Sequence, residues 1–345
     1  MTTLTAPDPG GLYTNPIGHW VIVVVAMVVV VVVVLTGAAY TVWFERVGLG
    51  RFQRRPGPNR VGPAGLMQLA ADGVKLATKE SFAPRGVDPV LYVLAPAIMV
   101  VAAFLAWAVI PFGLASGFTY WIANLNIGIL LVFAVSAMNA YAILLGGWSS
   151  NNKYSLLGGL RAAAQLISYE ISLGLSLVPI FMIAGTLRLG DIANYTVHWG
   201  FYNGPLPLVV LAPLSFVIYL VSAVAETNRT PFDLPEAEQE LIGCYLTEYS
   251  GLKFVCFYLG EYVNMITVSA LASLLFLAGS NPAIGPFAWL PFLLKIVFFL
   301  FLYIWLRATL PRLRYDQLMR LGWKVLLPLA LANVVVTAVV LVAVQ

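Results

Sequence analysis

The chain has 345 residues, of which 61% are hydrophobic and only 10% are charged. A soluble domain carries roughly 25% charged residues, so this composition excludes a soluble globule and indicates a protein that faces lipid. The net charge of +4 does not indicate nucleic-acid binding, because its cations lie in loops beside apolar segments. Cys244 and Cys256 are too few for a four-thiolate zinc or iron–sulfur site. We expect no metal, flavin or iron–sulfur cluster in this chain and no nucleic-acid partner.

Apolar runs long enough to cross a bilayer, roughly 20 residues each, recur along the chain. They predict an all-α membrane protein, a polytopic bundle of about eight transmembrane helices that forms one domain over 1–345. The first run contains unbroken valine from Val28 to Val34, and lipid favours a helix there because a helix satisfies its own backbone. The predicted spans are about 20–44, 90–112, 121–147, 161–185, 206–226, 253–278, 287–308 and 322–344.

Lysine and arginine concentrate in the loops that follow the odd-numbered spans. Of the 19 basic residues, only Arg188 and Lys295 lie elsewhere. Because basic loops stay on the cytoplasmic side of a membrane, we predict a multi-pass protein of the bacterial plasma (inner) membrane with both termini outside.

The longest basic loop contains a predicted amphipathic helix at about 63–80. Pro-Gly-Pro-Asn at 56–59 predicts a rigid turn, and apolar residues then recur at i, i+3 and i+4 from Pro63 onward. Such a helix either rests on anionic headgroups or forms a docking floor or cavity wall for a partner. The spacing alone leaves both interpretations open.

Carboxyl groups form a second pattern, both inside spans and in the cytoplasmic loop 227–252. Glu170, Glu261 and Lys295 fall within predicted spans, and Glu226 closes the fifth. A charge at the bilayer centre costs roughly 2.5–3.5 kcal/mol, so each is a candidate functional group. A structural ion pair, such as Lys295 with Glu261, is one alternative, and a solvated acidic loop is another.

Four long segments carry a resemblance to a known family, in the same order and beside matching spans from about Glu45 to Trp323. They read GPNRVGPAGLMQLAADGVKLATKE, GWSSNNKYSLLGGLRAAAQLISYE, AETNRTPFDLPEAEQEL and WLRATLPRLRYDQLMRLGWK. These segments resemble the quinone-site membrane subunit, or H subunit, of the proton-pumping NADH–quinone oxidoreductases (respiratory complex I). Its mitochondrial counterpart is the first NADH dehydrogenase subunit.

The resemblance implies a subunit that is not catalytic alone. It would form a quinone chamber with peripheral-arm subunits and couple quinone reduction to proton translocation. Its implied partners are the other membrane-arm and peripheral-arm subunits, the lipid bilayer, and ubiquinone or menaquinone as substrate. By motif position the chamber residues would be Glu45, Arg46, Arg55 and Asp72. The proton-path residues would be Glu170, Glu226, Glu236, Glu240 and Glu261.

Other functions remain open at this point. The chain is also compatible with the homologous membrane subunit of a membrane-bound hydrogenase or a related quinone-reducing dehydrogenase. A stand-alone proton-coupled transporter would explain the buried acids, although such proteins usually show internal repeats. A purely structural anchor for a peripheral arm is the last alternative.

Overall fold

The structure is a computed structural model that describes residues 16–111, 122–199, 202–205, 207–233, 243–279 and 289–344. Within these ranges, seven helices are long and apolar enough to cross a membrane. The predicted all-α polytopic membrane fold is therefore confirmed. The helices in chain order are α1 (Pro16–Phe52), α2 (Gln68–Thr78), α3 (Pro89–Leu105), α4 (Gly128–Ser149), α5 (Lys153–Ala184), α6 (Leu189–Ala193), α7 (Leu208–Leu211), α8 (Pro213–Glu226), α9 (Gly251–Phe276), α10 (Trp289–Thr309), α11 (Tyr315–Arg320) and α12 (Leu327–Val344).

Short irregular elements interrupt this helical order. Single 3₁₀ turns lie at Pro63–Gly65, Ala106–Ala108 and Cys244–Leu246. A two-stranded antiparallel hairpin pairs β1 (Thr196–Trp199) with β2 (Tyr202–Pro205), which is a small addition to the predicted helical fold. The π-helical segment Leu321–Leu326 joins α11 to α12, so the last span runs from Tyr315 to Ala343 rather than from about 322.

The fifth predicted span, 206–226, differs from the helices that the structure shows. It consists of α7 and α8, which are separated at Ala212 because Pro213 has no N–H to continue the helix. The 14 residues of α8 rise about 21 Å, less than the roughly 30 Å of a bilayer core. This element is therefore the short member of the bundle.

Capping side chains set two other boundaries. The Asp88 carboxylate accepts hydrogen bonds from Val90 and Leu91 and begins α3. Asn152 accepts from the N–H of Tyr154 at 2.9 Å, so α5 begins at Lys153 and not near residue 161 as predicted.

Helix α9 is the centre of the bundle. In its most apolar window 94% of the residues are buried, against 11% for α1, although α1 is the more hydrophobic of the two. Helices α1, α3 and α10 all pack against α9. The polar side chains that α9 carries are consequently enclosed by protein.

The basic loops meet at one end of the bundle. The N–H of Phe82 donates to Ser250 Oγ at 3.0 Å, and Arg312 Nη2 reaches Asp233 Oδ2 at 3.1 Å. Arg188 lies at the other end, where its Nε donates to Asn126 Oδ1 at 2.6 Å just before α4 begins. The basic loops that the sequence predicted to lie on one side of the membrane are thus also close together in the structure.

The amphipathic segment is shorter than the predicted 63–80. Gly62, Ala64 and Gly65 have φ angles of 71°, 52° and 74°, which a right-handed helix does not allow. The regular helix α2 therefore begins at Gln68, and it ends at Thr78.

Candidate functional site

Glu45, near the end of α1, is the centre of a buried cluster that we call the Glu45 cluster. Its side chain is 7% exposed and accepts hydrogen bonds from Arg307 on α10 and from Tyr262 on α9, the latter at 2.8 Å. Arg229, in the loop after α8, lies 3.4 Å from the same carboxylate and 4.4 Å from the ring centre of Tyr262. Two guanidinium groups face one carboxylate, so the cluster is net positive and attracts electron-rich groups.

Arg46, the next residue, points away from this cluster towards α2. Its Nη1 lies 2.6 Å from Asp72 Oδ2, and Gln68 donates to the other oxygen at 3.0 Å. Partial burial raises the pKa of Asp72, but the hydrogen bonds from Arg46 and Gln68 and the charges of Arg46 and Lys75 outweigh it. The pKa of Asp72 is therefore lowered, and the carboxylate stays charged at neutral pH.

Arg55 lies at a third place, in the turn that folds back under α1. Its Nε donates to Gln53 at 2.6 Å, and its side chain borders a cavity of about 310 Å³. Gly57 closes this turn, because a Cβ there would come within 2.9 Å of the Val47 backbone. The cavity is mostly apolar with two arginines at its rim; its lining residues are Trp43, Val47, Arg51, Arg55, Pro56, Gly57, Pro58, Asn59 and Ala64.

Glu226 and Glu261 line a second, much smaller cavity that we call the carboxyl pocket. Its volume is about 10 Å³, which is room for roughly one water molecule. Both acids are 7% exposed, and Tyr245 donates to Glu261 Oε1 at 2.7 Å. Burial raises the pKa of Tyr245 well above its usual value, as does the charge of Glu261, so the phenol keeps its proton and acts as a donor. The other lining residues are Met99, Asn139, Ile143, Leu166, Thr227, Asn228 and Asn264.

Two chain segments reach both the Glu45 cluster and the carboxyl pocket. At the end of α8, Glu226 and Asn228 line the pocket while Arg229 binds Glu45. On α9, Glu261 faces the pocket while its neighbour Tyr262 binds Glu45. Consecutive residues of a helix point about 100° apart, so one helix turn contacts two sites on different sides.

Glu170 extends the acidic group along α5. It is half-buried and lies close enough to Glu226 for the two carboxylates to interact electrostatically. One turn earlier, Gln165 donates to the carbonyls of Ala225 and Phe232, each at 2.8 Å, and so holds the end of α8 against α5. Glu236 and Glu240 lie in 234–242, outside the residues that the structure describes.

The suggested ion pair between Lys295 and Glu261 is wrong. Lys295 Nζ donates to the carbonyls of Leu277 and Gly279 at 2.6 and 2.7 Å, at the end of α9. Glu261 lies about sixteen residues earlier, roughly 24 Å along the helix at 1.5 Å per residue. The lysine instead satisfies carbonyls that a helix C-terminus leaves without partners.

Several residues of these sites were missing from the sequence-based interpretation. Tyr245, Tyr262 and Arg307 bind the buried carboxylates, and Asn139 and Asn228 complete the carboxyl pocket. The one available signal was that Asn228, Tyr245 and Tyr262 lie within a few residues of acids in the sequence, whereas Asn139 is a polar residue in an apolar run with no acid nearby. Among the described residues, no three His, Cys, Asp or Glu side chains converge as a metal site.

Comparison with known proteins gives a consistent result. A sequence model of the NADH dehydrogenase family matches residues 25–338. The chain is 51% identical over 313 residues to an H subunit of the NADH-quinone oxidoreductase of Geobacter metallireducens, covering 89% of this chain and 92% of that protein. It is 51% identical over 315 residues to the corresponding subunit of Thermomicrobium roseum, with 88% and 91% covered. It is 48% identical over 311 residues to that of Rhodospirillum rubrum, with 88% and 89% covered.

The resemblance predicted from the four segments is therefore confirmed over most of the chain, including the helices that carry the Glu45 cluster and the carboxyl pocket. On this evidence the chain belongs to the NADH dehydrogenase family.

Proposed function

We propose that this chain is the membrane subunit of a proton-translocating NADH–quinone oxidoreductase, in which it forms the quinone chamber together with peripheral-arm subunits. It is not catalytic alone and carries quinone as a substrate rather than a bound cofactor. Its membrane is the bacterial plasma membrane, with both termini outside and the basic end in the cytoplasm. The names of the similar proteins favour this function over a stand-alone transporter, a hydrogenase component or a passive anchor.

The chamber side of the proposal rests on Glu45, Arg46, Arg55 and Asp72. The apolar cavity beside Arg55 suits the ring and tail of a quinone at the membrane surface. Glu45 and Arg46 are adjacent in sequence but bind different partners. Together they would therefore contribute to two sides of the chamber beneath the end of α1.

The proton path comprises Glu170, Glu226 and Glu261 inside the bundle, and Glu236 and Glu240 in the acidic loop. Reduction of a quinone to a quinol consumes protons as well as electrons, and the electrons come from a neighbouring subunit. Buried carboxyl groups that lie near one another change their proton occupancy when a charge nearby changes.

The observation that carries the proposal is that the end of α8 and helix α9 each contact both the Glu45 cluster and the carboxyl pocket. A negative charge that arrives near the Glu45 cluster attracts Arg229, which the backbone joins to Asn228 and Glu226. At an effective dielectric constant of 20, two unit charges 4 Å apart interact by about 4 kcal/mol. Typical coupling free energies between sites are 1–3 kcal/mol, so a part of such an interaction, carried by the shared segment, would be enough to couple the two sites.

The test is replacement of Glu261 in the intact complex. Glu261→Gln keeps the shape and the hydrogen bond from Tyr245 but removes the titration. We expect an assembled complex that loses most quinone reduction and proton uptake in reconstituted vesicles, with Glu261→Asp retaining part of both. Glu80→Gln, the same change at an exposed carboxyl group, is the matched control. A fully active and fully coupled Glu261→Gln complex would overturn the proton-path role.

A further inference from the structure

One amide side chain holds both ends of the loop that follows α8. Gln165 on α5 is completely buried, and its Nε2 donates to the carbonyl oxygens of Ala225 and Phe232, each at 2.8 Å. Ala225 lies in the last turn of α8, and Phe232 lies in the loop after it. The residues between these two carbonyls include Glu226, which lines the carboxyl pocket, and Arg229, which belongs to the Glu45 cluster.

We propose that Gln165 is a positioning residue. By holding both ends of this loop it makes Arg229 and Glu226 move as one body, so that a change of charge at the Glu45 cluster reaches the carboxyl pocket. The inference rests on the proposed function and assigns this role to a neutral amide that takes up no proton.

Hydrogen bonds within the loop make it a compact turn. The N–H of Arg229 donates to the carbonyl of Val224 at 3.3 Å, and the N–H of Phe232 donates to the carbonyl of Arg229 at 2.8 Å. Asn228 has a φ angle of 50°, in the left-handed region, which turns the chain back towards α8. These bonds determine the shape of the turn, but its position relative to the helices depends on contacts with other segments.

Such contacts hold the turn on two sides that differ in exposure. At the basic end of the bundle, the N–H of Leu313 donates to the Pro231 carbonyl at 3.0 Å, and Arg312, whose side chain is 43% exposed, reaches Asp233. Gln165 holds the inner side, where its amide is shielded from water. A buried hydrogen bond is electrostatically stronger than one in water, so Gln165 is the firmer of the two attachments.

The donors of an amide suit this position. Two carbonyl oxygens need two donors, and the NH₂ group of Gln165 supplies both without a charge. Within the part of the chain that the structure describes, Gln165 Oε1 is buried and has no hydrogen-bond partner. Turning the amide round would place this oxygen against two carbonyl oxygens, so the donors alone determine its orientation. A lysine would also donate to both carbonyls, but it would bring a charge into the interior.

The test compares Gln165→Met with wild type in the intact complex. Methionine has nearly the volume of glutamine but no donor, so the side chain still fills its place while the hold on the loop is lost. We expect the kcat of coupled quinone reduction to fall about tenfold, within the range for residues that modulate coupling without touching a ligand. The quinone KM should stay unchanged, because Gln165 does not line the cavity beside Arg55.

Infrared difference spectra give a second readout, which a merely structural role would not change. In wild type, quinone reduction should shift the C=O stretching band of the pocket carboxyl groups, a band that is identified by its loss in Glu226→Gln. The shift should be much smaller in Gln165→Met. Ser176→Ala is the control, because it removes a buried hydroxyl group of α5 that donates to the Leu173 carbonyl of the same helix. It should behave as wild type.

Gln165→Asn extends the test to the length of the side chain. It keeps both donors but is one carbon shorter, so it should hold the two carbonyls less well and give a kcat and a band shift between those of Gln165→Met and wild type. This variant decides the matter if Gln165→Met does not assemble.

Three results would overturn the inference. They are a normal kcat with a full band shift in an assembled Gln165→Met complex, the same normal behaviour in Gln165→Asn, or a raised KM with a normal kcat. Failure of the proposed function differs from all of these, because Glu261→Gln itself would then be fully coupled. An impaired Glu261→Gln beside a normal Gln165→Met would keep the proton path and reject the positioning role of Gln165.

Discussion

Glu45 and its partners show how strongly the stability of this bundle depends on single buried charged residues. Arg229 is only 4% exposed, so protein groups such as Glu45, and not water, stabilise its charge. Removing one partner of a buried ion pair typically costs about 3–5 kcal/mol, because the remaining charge stays desolvated. The penalty should therefore come from the arginines that are left behind and not from the lost carboxylate.

We predict that Glu45→Ala destabilises the subunit by about 3–5 kcal/mol, because Arg229 and Arg307 then lose the carboxylate that they share. Thermal unfolding of the detergent-solubilised complex measures the change, with Glu80→Ala at an exposed carboxyl as control. In a double-mutant cycle, Arg307→Ala should cost much less in the Glu45→Ala background than in wild type. Additive costs would show that the two residues are not coupled.

Among the helices, α9 and α2 are opposite in burial. Helix α9 is enclosed by its neighbours, so its rotation is determined and Glu261 and Tyr262 point to separate sites. Helix α2 has no buried residue, and Arg46–Asp72 is a half-exposed contact between it and α1. An exposed ion pair contributes only about 0–1 kcal/mol, so this contact positions Arg46 more than it stabilises the fold.

We therefore expect Asp72→Asn to leave the unfolding midpoint nearly unchanged while raising the quinone KM, because Arg46 is no longer held. The pKa of Asp72 is lowered, so the contact is fully present above the ordinary aspartate range and is lost as pH falls through the lowered value. Wild-type KM should be flat near neutral pH and rise only in acid, whereas the variant should lack that acidic rise.

NADH oxidation with an artificial acceptor is the control for Asp72→Asn, because that reaction does not use quinone. If that activity fell together with quinone reduction, the variant would have an assembly defect, and the positioning role of Asp72 would be rejected.

The whole molecule has a pronounced charge asymmetry between its two ends. The loops at the end that contains Arg54 and Arg314 carry nearly all the basic residues, and Asp191, 3.9 Å from Arg188, lies at the opposite end. Because translocating basic loops across a membrane is disfavoured, this asymmetry predicts that the basic end of the bundle faces the cytoplasm.

Single-cysteine labelling of intact cells tests that orientation, in a background with Cys244→Ala and Cys256→Ala. A membrane-impermeant maleimide should label Asp191→Cys, and it should reach Arg54→Cys and Arg314→Cys only after the cells are opened. Labelling of either arginine position in intact cells would contradict the predicted topology.

The sequence by itself determined the membrane fold, the basic end and the carboxyl groups worth attention. Hydropathy and charge are properties that a linear pattern records directly, and Glu170, Glu226 and Glu261 stand out because charge is rare in apolar sequence. Motif resemblance identified the family for the same reason, since long segments keep their order in the chain.

Only the tertiary structure decided which groups meet. Arg307 lies 262 positions from Glu45, and the Asn139 and Asn228 oxygens share a pocket although they belong to different elements. Lipid accepts apolar side chains on every face, so hydropathy does not report how a helix is rotated in the bundle. Both α1 and α9 are apolar enough to cross a membrane, and the packing of neighbouring helices alone determined that α1 is largely exposed and that α9 is enclosed.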